Sequence, residues 1–101
     1  MGEGEEGSRF TLKIYTIEFL PRAKKQLEKL DKAEKLRIHG ALEILKTDPI
    51  PPNSKRLKGR NDYSIRVGNY RIIYNFSSGK LKILVIAIGH RREIYLKNSR
   101  I

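Results

Sequence analysis

Apolar positions recur along this chain with two periods, at helical spacing in the first half and largely at every second residue later. Residues 11–19 are β-prone and partly alternating, which predicts a first strand. Pro21 fits the first turn of a helix. Ala23, Leu27 and Leu30 then share one helical stripe, so a first helix is predicted directly after the strand.

A second helix is predicted to follow almost at once. Asp31 and Glu34 form a capping-box-like start, in which the Asp31 side chain accepts the Glu34 amide. Thr47-Asp48-Pro49 ends the helix, and the short link between the two helices predicts an αα-hairpin. The predicted inward stripe comprises Ala33, Leu36, Gly40, Ala41, Ile44 and Leu45.

Three further strands are predicted in the second half. Gly68-Asn69 is a two-residue hairpin turn within residues 62–74, and residues 77–80 close a second hairpin onto an apolar strand over residues 80–88. Gly89 is expected to break that last strand. The order βααβββ predicts an α+β fold: a curved, mostly antiparallel four-stranded sheet with the αα-hairpin on one face.

The first hairpin turn sets two arginines against each other. With Gly68-Asn69 as the turn, Arg66 faces Arg71 on the side of the sheet away from the helices. Opposed like charges destabilise a strand pair by up to about 1 kcal/mol, and a bound anion would remove that cost. The alternative is that two long side chains splay into solvent at little penalty.

More cations are predicted at the same end of the sheet. We align the second hairpin with Phe76 opposite Leu81, so that Arg71 lies opposite Ile86 and the last strand ends near Arg71. The result is a concave basic face with forked donors suited to phosphate. Its predicted members are His90, Arg91 and Arg92 beside Arg66 and Arg71, with Lys55, Arg56, Lys58 and Arg60 along the rim.

The charge distribution supports an anionic partner. The net charge is +11: residues 1–50 hold 10 Lys and Arg against 9 Asp and Glu, whereas residues 51–101 hold 12 against 2. This asymmetry favours binding of nucleic acid or of an acidic protein. Plain solubility is the less specific explanation.

Length and composition indicate one small domain in a chain of 101 residues. Residues 1–10 are acidic and Gly-rich and are predicted to be a disordered tail, native or left by cloning, while residues 11–101 form the domain. The lack of cysteine excludes a disulfide framework and a thiolate metal site. No apolar run could cross a bilayer and no signal-peptide core is present, so we expect a cytoplasmic protein without a membrane partner.

Catalytic signatures are sparse. Asp62 and Glu93 are the only acidic residues after residue 50, so any nuclease chemistry is expected to need no metal, and no cofactor is predicted. Tyr95 could pack the C-terminal segment, stack on a base or act on a ribose hydroxyl. His90 could be a general acid or base, or simply an exposed polar residue.

Four segments taken in order resemble the RelE/ParE toxin superfamily of prokaryotic toxin–antitoxin systems, and its RelE branch most. The first matches the family's first helix and begins at Phe19-Leu-Pro-Arg-Ala23. The others are Leu57-Lys-Gly59, the hairpin Tyr63-Ser-Ile-Arg-Val-Gly-Asn-Tyr-Arg-Ile-Ile-Tyr74, and Ile88-Gly-His-Arg-Arg-Glu-Ile-Tyr95. The resemblance covers residues 12–96.

The resemblance implies a microbial-ribonuclease-like toxin that cuts mRNA in the ribosomal A site without metal, by attack of the 2′-hydroxyl on the adjacent phosphate. Arg71 would grip the scissile phosphate, and Arg91 would do the same or protonate the leaving group. Tyr95 matches a functional tyrosine, with His90 as a substitute base. Arg66 lies where some members carry a catalytic lysine. The implied partners are mRNA, the ribosome and a cognate acidic antitoxin, in a toxin–antitoxin hetero-oligomer.

Two other functions stay open at this point. Ser64 occupies a position where the best-known branch has another lysine, which argues mildly for a ParE-like inhibitor of DNA gyrase. The clustered arginines argue against gyrase, because gyrase binding does not require a converging phosphate site. The third reading is a domain that binds RNA or the ribosome without cleaving it.

Overall fold

The computed structural model describes residues 13–98, and side chains as far as residue 94. Predictions for residues 1–12 therefore fall outside the described chain. The elements in order are β1 (Thr16–Phe19), α1 (Pro21–Glu28), α2 (Lys32–Thr47), β2 (Ser54–Arg56), β3 (Tyr63–Val67), β4 (Tyr70–Ser77), β5 (Lys82–His90) and α3 (Arg91–Asn98). The predicted α+β class is confirmed.

The sheet has five strands rather than the predicted four, in the order β1-β5-β4-β3-β2. β1 runs parallel to β5, and the other neighbours are antiparallel. The additional strand is β2, which pairs along β3 with Lys55 opposite Ser64. Its three residues, Ser-Lys-Arg, are polar and too few to alternate, so the pattern gave no strand signal.

The predicted register of the first hairpin is confirmed. Val67 lies opposite Tyr70, Arg66 opposite Arg71, and the pairing continues down both strands. Gly68 adopts a φ of +60°, the left-handed conformation that a tight hairpin turn requires and that glycine reaches without steric cost.

The predicted register of the second hairpin is wrong. Phe76 lies opposite Ile83 rather than Leu81, and Arg71 lies opposite Gly89 rather than Ile86. The loop spans residues 78–81 and is longer than predicted, and within it Leu81 has a φ of 53°, in the left-handed region. A bulge between Ile73 and Tyr74 adds one further residue of offset. β5 therefore continues through Gly89, which does not break the strand.

Both α1 and α2 pack on one face of the sheet, as predicted. Asp31 caps α2 by accepting the Glu34 amide at 2.8 Å, which confirms the start of that helix. The predicted inward stripe is partly wrong, because Leu36 and Ile44 are 64% and 54% exposed. The buried positions of α2 are Ile38, Ala41, Leu42 and Leu45. This helix carries two apolar stripes, and only one of them can face the sheet.

The opposite face of the sheet is covered in part by α3, a helix that the sequence pattern did not predict. Ile94 is 2% exposed and packs with Ile73 and Ala87 in a small second core. This packing brings the start of α3 against the ends of β4 and β5. Within residues 13–98, no helix is long and apolar enough to cross a membrane.

Candidate functional site

The cations of the second half meet on the sheet face that α1 and α2 leave uncovered. Arg66, Arg71 and Gly89 form one row across β3, β4 and β5, and Lys55 pairs with Ser64 in an adjacent row. Neighbouring strands are about 4.8 Å apart, and same-face residues along a strand are separated by about 7 Å. Three basic side chains therefore start within about 12 Å of one another.

An open groove of about 530 Å³ lies over this cluster. Its lining residues are Pro52, Asn53, Ser54, Lys55, Leu57, Ser64, Arg66 and Arg71. Among the residues that the structure describes, no acidic side chain lines the groove, and no ion pair involves Lys55, Arg66 or Arg71. The guanidinium forks can therefore bind an anion such as phosphate without first breaking an ion pair.

Backbone contacts hold the two arginines in place. The Asn53 side-chain amide donates to the Arg66 carbonyl at 3.0 Å, and the Arg66 amide donates to the Asn53 carbonyl at 3.4 Å. Arg71 Nη1 donates to the Tyr70 carbonyl at 3.1 Å. Ser64, between the cations, is only 3% exposed. The sequence did not predict this role of Asn53, because the residue lies in a Pro-rich connection between elements.

Arg91 begins α3 beside the same end of the sheet. Its amide donates to the Asn69 carbonyl at 2.9 Å, which fixes the start of the helix against the β3–β4 turn. Arg91 and Arg92 are both exposed. The backbone of Tyr95 lies in α3, one helical turn beyond Arg91, but its side chain falls outside the described residues.

His90 is not on the arginine face, so the prediction that it lies within reach of Arg66 and Arg71 is wrong. It pairs with Tyr70, whose ring lies 5.8 Å away, edge to face. Side chains alternate along a strand, so Gly89 shares the face of Arg71, and His90 points to the α1 side. There it lines a separate cleft of about 620 Å³.

The predicted rim cations differ in their contacts. Lys55 lines the groove, and Lys58 is exposed in the loop after β2. Arg56 donates to Asn61 Oδ1 at 3.0 Å, whereas Arg60 forms an ion pair with Asp62. Arg60 therefore helps to hold the loop, which leaves Lys58 and Lys55 better placed to contact an added ligand.

Tyr74 is a structural tyrosine on the helix-covered face. Its hydroxyl donates to the Pro49 carbonyl at 2.6 Å, and its side chain is fully buried. Burial, the largest cause, raises the pKa of Tyr74 to about 12, and the nearby Tyr63 and Asp48 add to the rise. This phenol is therefore neutral at physiological pH and belongs to the core.

Comparison with known proteins assigns the family. A family model described as the ParE toxin of the type II toxin–antitoxin system parDE matches residues 17–95. A protein from Methanocaldococcus jannaschii described as "Putative toxin RelE1" is 31% identical over 85 residues, covering 80% of this chain and 94% of that protein. The chain belongs to the RelE/ParE superfamily and is a toxin of a type II toxin–antitoxin system.

Solved structures agree with this assignment. The archaeal RelE–RelB complex from Pyrococcus horikoshii contains a chain with a TM-score of 0.71 and 26% identity, covering 79% of this chain and 98% of that one. The intact RelBE complex of E. coli contains one with a TM-score of 0.67 and 28% identity, covering 75% and 95%. The family model is thus described as ParE, whereas the relatives named above are described as RelE.

Proposed function

We propose that this toxin is a metal-independent endoribonuclease that cleaves mRNA in the A site of the ribosome. The observation that carries the proposal is the groove around Arg66 and Arg71, which combines three basic side chains with no acidic lining residue in the described chain. The backbone phosphates of ribosome-bound mRNA are anions that a basic groove of this kind can bind. Action on ribosomes also implies a cytoplasmic protein.

The proposed reaction is an intramolecular transfer on one phosphate. The ribose 2′-oxygen forms a new bond to phosphorus and loses its proton, while the bond from phosphorus to the 5′-oxygen breaks and that oxygen gains a proton. The products are a 2′,3′-cyclic phosphate and a free 5′-hydroxyl. Negative charge builds on the phosphoryl oxygens, where Arg71 and Arg66 would stabilise it from fixed positions. Arg91 would add a third guanidinium from the start of α3.

The proton acceptor is the least obvious member of this site. Arg66 is a poor base because a guanidinium stays protonated, and the described lining of the groove offers neither imidazole nor carboxylate. Tyr95 follows Arg91 by four residues in α3, the spacing of neighbours along a helix, and is our candidate for the base or for orienting the ribose. With Ser64 in place of a lysine, slower cleavage is expected than in lysine-bearing relatives.

The proposal includes a cognate acidic antitoxin. Relatives of similar fold were crystallised as RelE–RelB toxin–antitoxin complexes. Residues 51–101 of this chain carry 12 basic and 2 acidic residues, a charge balance that an acidic protein complements. We therefore expect a toxin–antitoxin hetero-oligomer.

Primer extension on a defined mRNA tests the proposal. The purified toxin is added to translating ribosomes and, in a second arm with EDTA, to naked RNA. Cuts confined to the A site, and lost in Arg71→Ala and Arg91→Ala, would support it. Lys80→Ala is the matched control, because Lys80 is an exposed cation in the β4–β5 loop, outside the groove. Intact mRNA on translating ribosomes would refute it.

The second candidate function is inhibition of DNA gyrase, because the matching family model is that of ParE toxins. A gyrase supercoiling assay with the same protein preparation tests this function, because a gyrase inhibitor would reduce supercoiling of the DNA. A third outcome, ribosome or RNA binding without cuts in either the wild type or Tyr95→Phe, would indicate a binding domain.

A further inference from the structure

His90 occupies the position that precedes the first residue of α3. Its ring nitrogen Nδ1 accepts the backbone amide of Arg92 at 3.3 Å. The amide before it, that of Arg91, donates to the Asn69 carbonyl at 2.9 Å. The first amides of a helix lack partners within the helix, and a side chain that accepts the second or third of them is an N-cap. The His90 ring has this geometry.

The remainder of the His90 ring lies in a different environment from the arginine groove. The cleft that it lines also holds Arg22, Lys25, Lys29, Glu93 and Tyr70. These are the titratable side chains that share the cleft with it; they come from α1 and the residue that follows it, from α3 and from β4. No residue of the arginine groove, as far as the structure describes it, shares this cleft.

The cap matters because α3 is short. It has eight residues, and isolated helices of this length are unstable in water. Within the described side chains, its buried anchor is Ile94, packed on Ile73 and Ala87. The helix carries Arg91 and the backbone of Tyr95, so its position relative to the sheet decides where the Arg91 guanidinium lies.

We infer that His90 is a positioning residue, an imidazole N-cap that holds α3, and with it Arg91 and the backbone of Tyr95, beside the groove, and that it takes no part in proton transfer. The inference rests on the proposed ribonuclease activity for its kinetic part. Its structural part stands on the hydrogen bond and on the opposite face that the ring occupies. His90 therefore affects the groove indirectly, by fixing the position of α3.

The cap requires a particular tautomer. Nδ1 can accept the Arg92 amide only without a proton, so the proton of a neutral His90 ring lies on Nε2. Long-range proton–nitrogen NMR correlations of the imidazole at neutral pH report this directly. The chain has two histidines, so in the His39→Gln variant all histidine signals of the spectrum come from His90. An Nδ1-protonated neutral ring would overturn the inference.

Two substitutions separate a cap from a base. Asparagine is among the best N-cap residues and cannot serve as a general base, whereas alanine can do neither. We expect His90→Ala to lower the cleavage rate on ribosomes about five- to tenfold and His90→Asn to restore it to within about twofold of wild type. Equal losses in both variants would refute the cap and support proton transfer. His39→Asn, at an exposed position of α2, is the matched control.

A measurement without RNA keeps the two proposals separate. Amide exchange at Arg92 should become about five- to tenfold faster in His90→Ala and return towards the wild-type value in His90→Asn. Unchanged exchange in His90→Ala would overturn the cap. If wild-type toxin leaves ribosome-bound mRNA intact, the proposed function fails, while the tautomer and the exchange rates still decide the role of His90.

Discussion

Replacing Arg66 by glutamine should make the free protein more stable while it weakens the proposed activity. Arg66 and Arg71 are directly opposed on β3 and β4, and Arg71 is held by its bond to the Tyr70 carbonyl, so it cannot splay freely. No described carboxylate pairs with either. Relief of the repulsion should stabilise the fold by about 0.5 kcal/mol, within the range for cross-strand pairs.

The assay is thermal and urea unfolding of wild type and Arg66→Gln at two salt concentrations. For a domain of about 100 residues, 0.5 kcal/mol corresponds to a rise in Tm of about 2 to 4 °C. The gain should shrink towards 1 M NaCl, where the screening length falls to about 3 Å. Lys80→Gln is the matched control, because it removes one exposed charge without an opposed partner.

The refuting result is equally specific. If Arg66→Gln gains no more stability than Lys80→Gln, or if its gain does not depend on salt, then the two guanidiniums do not repel measurably in the free protein. The reasoning that the groove tolerates repulsion in order to bind an anion would fail. If the gain appears together with weaker cleavage, the groove is a site where function costs stability.

Three further predictions concern the fold. Because burial raises the pKa of Tyr74 to about 12 from an unfolded value near 10, stability should be intact below pH 10 and fall by about 2–3 kcal/mol as the pH rises to 12. Urea unfolding of Tyr74→Phe should lack that fall; a parallel loss in both proteins contradicts the assignment. Leu45→Ala should destabilise by about 3 kcal/mol in urea unfolding, whereas Ile44→Ala, at an exposed position of α2, should change stability by less than about 0.5 kcal/mol; similar values for the two would contradict the observed orientation of α2. Asp31→Ala should cost about 1 kcal/mol through loss of the α2 cap, read from the same transition, and Asp31→Asn should largely retain the stability.

The parts of the fold that sequence could predict are those determined locally. The turn at Gly68-Asn69 aligned the first hairpin, because a two-residue turn leaves a single register, and this alignment was enough to set Arg66 against Arg71. Asp31 similarly marked the start of α2. In each case, residues within a few positions of one another determine the geometry.

The parts that sequence could not predict depend on contacts between distant residues. Nothing local indicates that Leu81, in the β4–β5 loop, adopts a conformation that bulky residues rarely take, or that this loop is long enough to move the register of β5 by two residues. A shift of two residues keeps each side chain on its face, but the bulge between Ile73 and Tyr74 adds one more residue, and a one-residue shift reverses the faces. The bulge therefore decided that His90 does not join the arginines. Likewise, β2 becomes a strand through its pairing with β3, and the buried stripe of α2 is selected by the sheet.

The parallel pairing of β1 with β5 has a consequence for how the protein is made. Thr16 pairs with Lys82, so the first strand must wait for a partner synthesised about 66 residues later, roughly 3 to 13 s at ordinary translation rates. During that interval α1 and α2 have no completed sheet to cover, while the β3–β4 hairpin can already form from neighbouring residues. The arginine pair can therefore form before the domain closes, whereas the sheet is complete only once β5 has inserted between β1 and β4.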